Sequence, residues 1–575
     1  RSSDLGSFWK SEEDLRLAAN VFYQNMNRSY TLDNQSADGF ANVGNLVSSG
    51  THAPGNTDGI WTTAYKQIRH ANNFLENYEK AEVSEATKNR YAGEARFFRA
   101  YFYFNLVKRF GDVPYVLRTL DMDSEELMGP RVPKEQVIAG IIEDLEFAET
   151  HIPLKSKLPT DVGRLTKGAA QAMLARVALY IGTWNKFHGS GEYKSYLQIA
   201  KEASKRLIDS KEYSLYADYR NLFLLPGEDS NEHILSFRYS AEADTYNPRI
   251  RATIADLSHS PTKVLADAFL CKDGLPLEKS AYRVEYLPAG KEFENRDPRM
   301  ALTIWKPGDP FLGKPFVPNL TSQTRTGYMF KKYGDEESYS NMKSRIDEIL
   351  IRYAEVLLTF AEASFELDDR ISDEDLNLSV NALRNRFEGD PNRLPDLTNA
   401  FVAEHGLSMR DEIRRERRVE LAAESFRYDD IIRWKTAETE LPAAILGAKF
   451  DPELYPSTVP GKDVILEIEV QGALKVKEKN PQALLLFVTP PSAEELKHRL
   501  IDRGTETMDV INDRMRRAAE ESEIMDHYQY LVINDDLDTC VKEVHQLIQS
   551  EHLKVSENLD LVADIQKELK EMKGE

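Results

Sequence analysis

Two cysteines, Cys271 and Cys540, are all that 575 residues contain. That excludes a disulfide framework and a cysteine-rich metal site. No apolar run approaches the 18 residues a membrane-spanning helix needs. The chain also lacks an excess of positive charge. Its 74 Lys and Arg stand against 95 Asp and Glu, a net charge of -21. A protein that binds nucleic acid by neutralising phosphates has the opposite balance. Nowhere does G-x-x-x-x-G-K-[ST] occur, so a phosphate-cradling loop of that kind is missing; Gly461-Lys462 runs into Asp463 and does not qualify. No carboxylate pair stands in a recognisable glycosidase context. The chain begins RSSDLG, with neither an initiator Met nor a signal peptide, and reads as a trimmed or processed product.

What is present is uneven. Of 26 Tyr, 25 Phe and 5 Trp, only Phe487, Tyr528 and Tyr530 lie beyond residue 460. Residues 461–575 carry 25 acidic and 15 basic side chains, a net charge of -10 in a fifth of the length. The composition breaks at DPELYPSTVPGKD (451–463), whose Pro, Ser, Thr and Gly residues mark a linker at 451–462. We therefore expect two parts of different origin, 1–460 and 461–575.

The first part reads as mainly α. Ser11 and Asp14 have capping-box spacing ahead of Leu15, Ala18, Ala19 and Phe22. Trp61, Tyr65, Ile68 and Leu75 fall on one helical face, so Trp61 is expected in the core, and Trp434 beside a charged helix is expected to be structural. Residues 85–109 predict a long helix with Arg96 and Arg99 inside it, stopped by Gly111 and Pro114. Thr166 caps an Ala-rich helix whose small side chains allow close approach of a neighbour. Residues 347–363 and 410–424 predict further helices. In the latter, Glu412/Glu416 and Arg414/Arg418 give charge pairs three or four apart. Successive antiparallel pairs of this kind suggest tetratricopeptide-like hairpins. Residues 26–60, 183–260 and 270–345 read as long irregular stretches rich in aromatics, a common way to build a binding face. Trp184 in IGTWNKFHGSG, Trp305 in TIWKPGDP and Tyr246 in ADTYNPR are the candidate sugar platforms, because sugar C–H faces pack on rings.

The order of motifs in residues 1–460 resembles the SusD/RagB family of outer-membrane lipoproteins. The matching runs are FWKSEEDLRLAANVFY (8–23), WTTAYKQIRHANNFLE (61–76), EARFFRAYFYFNLVKRFGDVP (94–114), GRLTKGAAQAMLARVALY (163–180), PTKVLADAFLCKDGLP (261–276), NRDPRM (295–300), IRYAEVLLTFAEA (351–363) and RRERRVELAAESFRYDDIIRW (414–434). The resemblance implies non-catalytic capture of oligo- or polysaccharide and its delivery to a TonB-dependent transporter. It also implies a lipid anchor at the cell surface, no cofactor and no metal. The family's usual C-terminal stretch would continue past Pro460. A protein-interaction scaffold is the alternative for such helices.

The second part reads as α/β. Val464–Ile468, Ala483–Val488 and Tyr530–Ile533 predict strands of a parallel sheet. Helices are expected from Ser492, over 508–525 and over 538–550. DVILEIEVQGALKVK (463–477), LLFVTPPSAEELKHRLIDRGTET (485–507), INDRM (511–515) and YLVINDDLD (530–538) resemble the C-terminal half of guanylate kinase, a P-loop kinase fold. The resemblance places Arg499, Arg503 and Arg514 where lid arginines grip phosphates and Asn534 near the base, while Glu467 and Glu469 stand where the family usually has Asp. Guanylate kinase-related phosphoryl transfer is thus an alternative activity. Without the phosphate loop, the expectation is a truncated, inactive fragment joined by rearrangement, assembly or design.

Overall fold

The computed structural model describes residues 8–24, 26, 33–40, 45–53, 55, 57–189, 191–240, 242–243, 245–247, 259–283, 290–318, 324–334, 336, 343–441, 444–449, 470–502, 508–551, 553–555, 562–563, 565–566 and 569–570. They fall into two compact units, Arg1–Thr458 and Val459–Glu575.

The first unit is built on antiparallel helices. α1 (Glu12–Tyr23) starts from a complete capping box, Ser11 and Asp14 satisfying each other's backbone N–H groups. α2 (Gly59–Asn77) is capped by Asp58, and α3 (Glu85–Phe110) by Ser84, ending at Gly111 with φ of 68°. α4 (Lys134–His151) folds back on α3. α5 (Lys167–His188) is capped by Thr166 and closed by left-handed Gly189, and α6 (Lys194–Ser210) packs along it. The two axes meet at Gly182, where an added Cβ would lie 2.9 Å from Leu197 Cδ2 and 3.2 Å from its backbone nitrogen. α3 is the central beam, buried on most of its circumference. Within it Arg99 donates to Asp144 of α4 at 2.7 and 2.8 Å and to the Asn72 amide oxygen of α2 at 3.1 Å. The Asn72 nitrogen in turn donates to the Val116 and Arg118 carbonyls. One cation thus fixes three helices and the connection after α3.

Two expectations are corrected here. Residues 183–260 are not irregular throughout: α5 runs on through Trp184 to His188, and α6 and strand β1 (His233–Phe237) follow. Residues 347–352 are not helical. β2 (Glu348–Arg352) pairs antiparallel with β1, His233 opposite Arg352 and Phe237 opposite Glu348, with a bulge between. Only at Tyr353 does the chain enter α7 (Tyr353–Asp368). The alternation of β-branched Ile349 and Ile351 suits a strand beside β1, and the pairing outweighs the helical spacing.

α8 (Met409–Glu420) and α9 (Arg427–Arg433) complete the frame. Here the expected pairing of charges three or four apart is largely overturned. Glu412 pairs with Arg415, but Glu416 meets Arg299 and Arg384, Arg417 meets Asp430, and Arg418 meets Asp38. Five buried cations (Arg299, Lys332, Arg352, Arg384, Arg386) and five buried anions (Glu232, Asp297, Glu416, Glu420, Glu424) form one connected network. Glu420 lies at its centre, touching Arg299 at 3.0 Å, Arg352 at 2.7 Å and Arg386 at 2.9 Å. Burial alone would raise its carboxyl; Arg386, Arg352 and Arg299 outweigh that and hold it well below the usual carboxylate range. The loop at 33–38 is tied to the same region, Asp33 accepting the Ala423 N–H at 2.7 Å.

The second unit, taken by itself, is mixed α/β. α10 (Val470–Lys479) precedes β3 (Leu486–Thr489), α11 (Ala493–Asp502), α12 (Met508–Ser522), β4 (Tyr530–Ile533) and α13 (Leu537–Glu551). β3 and β4 are parallel, Leu486 opposite Tyr530 and Thr489 opposite Ile533. The expected strand at 464–468, with Glu467 and Glu469, lies outside the described residues, as does the 451–462 linker.

Candidate functional site: an aromatic and polar pocket in the helical unit

A pocket of about 130 Å³ opens where α3, α5 and the turn before α9 converge. Tyr101, Phe104, Asn105 and Lys108 of α3 recur at i, i+3, i+4 and i+7, so one helical face delivers all four. α5 contributes Arg176 and Tyr180 by the same spacing, and Phe426 and Asp429 close the wall. Lys108 pairs with Asp429 at 2.5 Å and lies 5.0 Å from the Phe104 ring centre. Arg176 donates to Glu355 at 2.6 Å and to the Leu350 carbonyl at 2.6 Å. Its guanidinium also lies 5.2 Å from the Phe426 ring centre. Burial alone would lower Arg176, but Glu355 outweighs it and raises it further. Burial, then the neighbouring Asp429, pushes the Tyr180 phenol well above its ordinary range, so it stays a neutral hydroxyl. The wall therefore offers ring surface, a neutral hydroxyl, an amide and fixed, mutually neutralised charges. Such a set hydrogen-bonds hydroxyls and packs C–H faces without demanding a charged ligand.

A second pocket, of about 280 Å³, lies between the segment entering α5 and β1. Lys155, Asp161, Arg164, Asp229, Arg238 and Asp347 line it. His233 lines it too, and burial holds its imidazole down at about 4. It is a charged recess with no aromatic wall.

The candidate platforms fare differently. Trp305 is corrected: it is 4% exposed, packed with Phe311 and Phe316 and approached by Lys331, so no ring face is open. Trp184 is not in a loop at the helix end but inside α5. His188 stacks on it at 4.1 Å and 6° and Tyr180 at 6.1 Å and 22°, leaving the ring held within an i, i+4, i+8 ladder. Tyr246 is half-buried with the Lys343 ammonium 4.6 Å from its ring centre. Trp61, expected in the core, is only partly buried, beside Tyr65 and Phe110. Trp434 is structural, as expected, donating from Nε1 to Glu362 at 2.6 Å. The pocket residues Tyr101, Asn105, Lys108 and Asp429 were missed, although the four- and three-residue spacing within 94–114 carried the signal for the three on α3.

In the second unit Arg499 and Asn534 are brought together. Arg499 donates to the Asn534 carbonyl at 2.7 Å and the Asp535 carbonyl at 3.2 Å, with Nε on Glu495 at 2.7 Å. Its donor fork is thus spent on its own unit. Arg514 is exposed on α12, and Arg503 lies outside the described residues. Among the described residues no cluster of metal-ligating side chains occurs, and no helix is long and apolar enough to cross a membrane.

Comparison with known proteins gives two separate answers. Residues 236–452 match the model of the SusD family, and residues 13–179 match a second, described as starch-binding associating with outer membrane. Residues 457–551 match the guanylate kinase model. A SusD-like carbohydrate binding protein from Bacteroides fragilis superposes with a TM-score of 0.63 at 26% identity, covering 75% of this chain and 88% of that one. A second SusD-like protein of that organism also gives 0.63 at 26% identity, over 77% and 90%. A surface glycan-binding protein A from Bacteroides uniformis shares the fold, with a TM-score of 0.53 at 22% identity over 75% and 90%. The guanylate kinase of Bacillus subtilis is 50% identical over 94 residues, 16% of this chain and 46% of that protein. That of Oceanobacillus iheyensis is likewise 50% identical over 94 residues, 16% and 46%. The chain spans about half the length of these kinases.

The helical unit is therefore of the SusD type. The chain as a whole joins that SusD/RagB-like unit to a guanylate-kinase-like C-terminal segment.

Proposed function

We propose that the SusD-like unit captures oligo- or polysaccharide at the outer membrane, without chemistry of its own, and passes it to a TonB-dependent transporter. The observation that carries this reading is the 26% identity to a SusD-like carbohydrate binding protein over 88% of that protein's length. The pocket between α3, α5 and Phe426 supports it further, since its neutralised charges and ring edges suit a polyhydroxylated, uncharged ligand. Surface location and an N-terminal lipid anchor in the precursor belong to the same proposal. The guanylate-kinase-like segment adds no phosphoryl transfer in this reading, because the phosphate loop that would hold ATP is not in the sequence.

Affinity gel electrophoresis of the full chain against a broad polysaccharide panel tests the proposal. Retardation by at least one neutral glycan is expected, in the micromolar to millimolar range, roughly -8 to -4 kcal/mol. Asn105→Ala and Tyr101→Ala should each weaken it by about 1 kcal/mol, the scale of one hydrogen bond or ring contact. Trp305→Phe, a change in a closed cluster, should leave it unaltered. A folded protein retarded by no glycan defeats the capture reading. Retardation untouched by both pocket variants moves the site elsewhere.

A further inference from the structure

Among the described residues, the helices of the guanylate-kinase-like unit cover its apolar sheet only in part. On β4, Leu531 is 57% and Ile533 50% exposed, while Val532 between them is 4% exposed. On β3, Val488 is 48% exposed. Parallel strands with open apolar faces are unusual, since such sheets are ordinarily covered on both sides. Among the described residues β3 and β4 pair only with each other, so each offers an unpaired edge of N–H and C=O groups.

We propose that this sheet is a docking site for a separate polypeptide, the phosphate-loop-bearing half of a guanylate kinase. Three observations select that occupant. The unit corresponds to 46% of the length of the kinases it matches at 50% identity, and the missing part is not elsewhere in the chain, which contains no G-x-x-x-x-G-K-[ST]. The exposed strands have the parallel geometry into which a further parallel strand inserts. The third observation concerns direction. The carboxyl ends of β3 and β4 lie together, the Asn534 N–H donating to the Thr489 carbonyl at 2.8 Å, and Arg499 is anchored there on the Asn534 and Asp535 carbonyls. A phosphate loop directly follows the carboxyl end of its strand. A strand added in parallel therefore delivers its loop to the edge that carries Arg499 and Asn534, where open α/β sheets bind ligands. The net charge of -10 over 461–575 favours a partner segment that brings lysine and arginine. This proposal is independent of the glycan reading of the first unit.

The test mixes the full chain with a separately produced half of the Bacillus subtilis guanylate kinase, the half that carries its phosphate loop. Sedimentation velocity should show a one-to-one complex, and amide exchange at 486–489 and 530–533 should slow by at least ~10-fold on mixing. Leu531→Asp and Ile533→Asp, which alter only exposed positions, should abolish the complex. Leu553→Asp, at a position 82% exposed and outside both strands, should leave it intact. Absence of a complex at ~100 µM overturns the proposal. So does a complex that survives both sheet substitutions, or protection confined to segments other than β3 and β4. A chain that pairs with a second copy through this sheet, and ignores the kinase half, overturns it in favour of self-association.

Discussion

Replacing Glu420 by Gln perturbs the centre of the buried charge network without changing its shape. Five cations and five anions balance, so the variant leaves one uncompensated positive charge among Arg299, Arg352 and Arg386, each of which is less than 2% exposed or fully enclosed at its side chain. Removing one partner of a buried ion pair costs about 3–5 kcal/mol, because the survivor stays desolvated. The first unit has 458 residues, and at roughly 2.1 cal/mol/K per residue its unfolding entropy is about 1 kcal/mol/K. The thermal midpoint of that unit should therefore fall by about 3–5 °C. The comparison is Arg118→Ala, which breaks an ion pair whose side chains are 53% and 47% exposed. That pair is worth about 0–1 kcal/mol, and its loss should move the midpoint by about 1 °C or less. The pH dependence follows from the direction of the Glu420 shift. Its folded value lies below the ordinary 4.5, so its stabilisation is fully present above about 4.5 and is lost only as the pH falls through the lower folded value. The deficit of Glu420→Gln should then be constant from about pH 5 to 8 and shrink in stronger acid. Scanning calorimetry across that range decides the matter. Equal midpoints for Glu420→Gln and the parent would refute the argument that the network's charges depend on one another.

Other outcomes can be checked alongside. His233 is held at about 4 by burial against an ordinary 6.5, so between those values the unfolded chain binds a proton that the folded one excludes. Stability should rise by about 2–3 kcal/mol as the pH climbs from 4 to 6.5, and His233→Gln should flatten that rise in acid-unfolding curves. Gly182→Ala forces a Cβ against Leu197 at the α5–α6 contact and should cost about 1–3 kcal/mol, read as a lower calorimetric midpoint. With ATP, Mg²⁺ and GMP, the full chain alone should form ADP no faster than buffer in a coupled assay. Turnover abolished by Arg499→Ala would contradict that.

The helical frame was legible wherever a cap and a period coincided. Ser11 and Thr166 each announce a helix that the structure contains, because capping is local and its signal sits within three residues. The failures lie where a distant partner decides. EILIR at 348–352 continues the helical spacing of α7 yet becomes a strand, since β1 lies more than a hundred residues away and short apolar runs fit either period. The period of α6, with Leu197, Ala200, Ser204 and Leu207 inward, was present in the sequence but hidden among loop-like neighbours. RDEIRRERRVELAAE reads as a helix that pairs its own charges three or four apart, because nothing local reveals that Glu416 and Arg418 have partners at Arg299, Arg384 and Asp38. The site was less legible still. An exposed tryptophan platform was the natural expectation, but Trp305 and Trp184 are committed to packing, and the pocket draws on residues of five helices, a strand and a turn.

The balanced charge network also has a consequence for synthesis. Its cations at 299, 332 and 352 leave the ribosome before the anions at 416, 420 and 424 exist. Until α8 and the turn beyond it emerge, the middle of the unit holds guanidinium and ammonium groups that cannot be buried at tolerable cost. The interior can therefore close only when translation has passed residue 424, so a nascent chain that stalls earlier stays open along its centre and exposed to proteases. A chain that has closed certifies, by its own neutrality, that it has been made at least as far as Glu424.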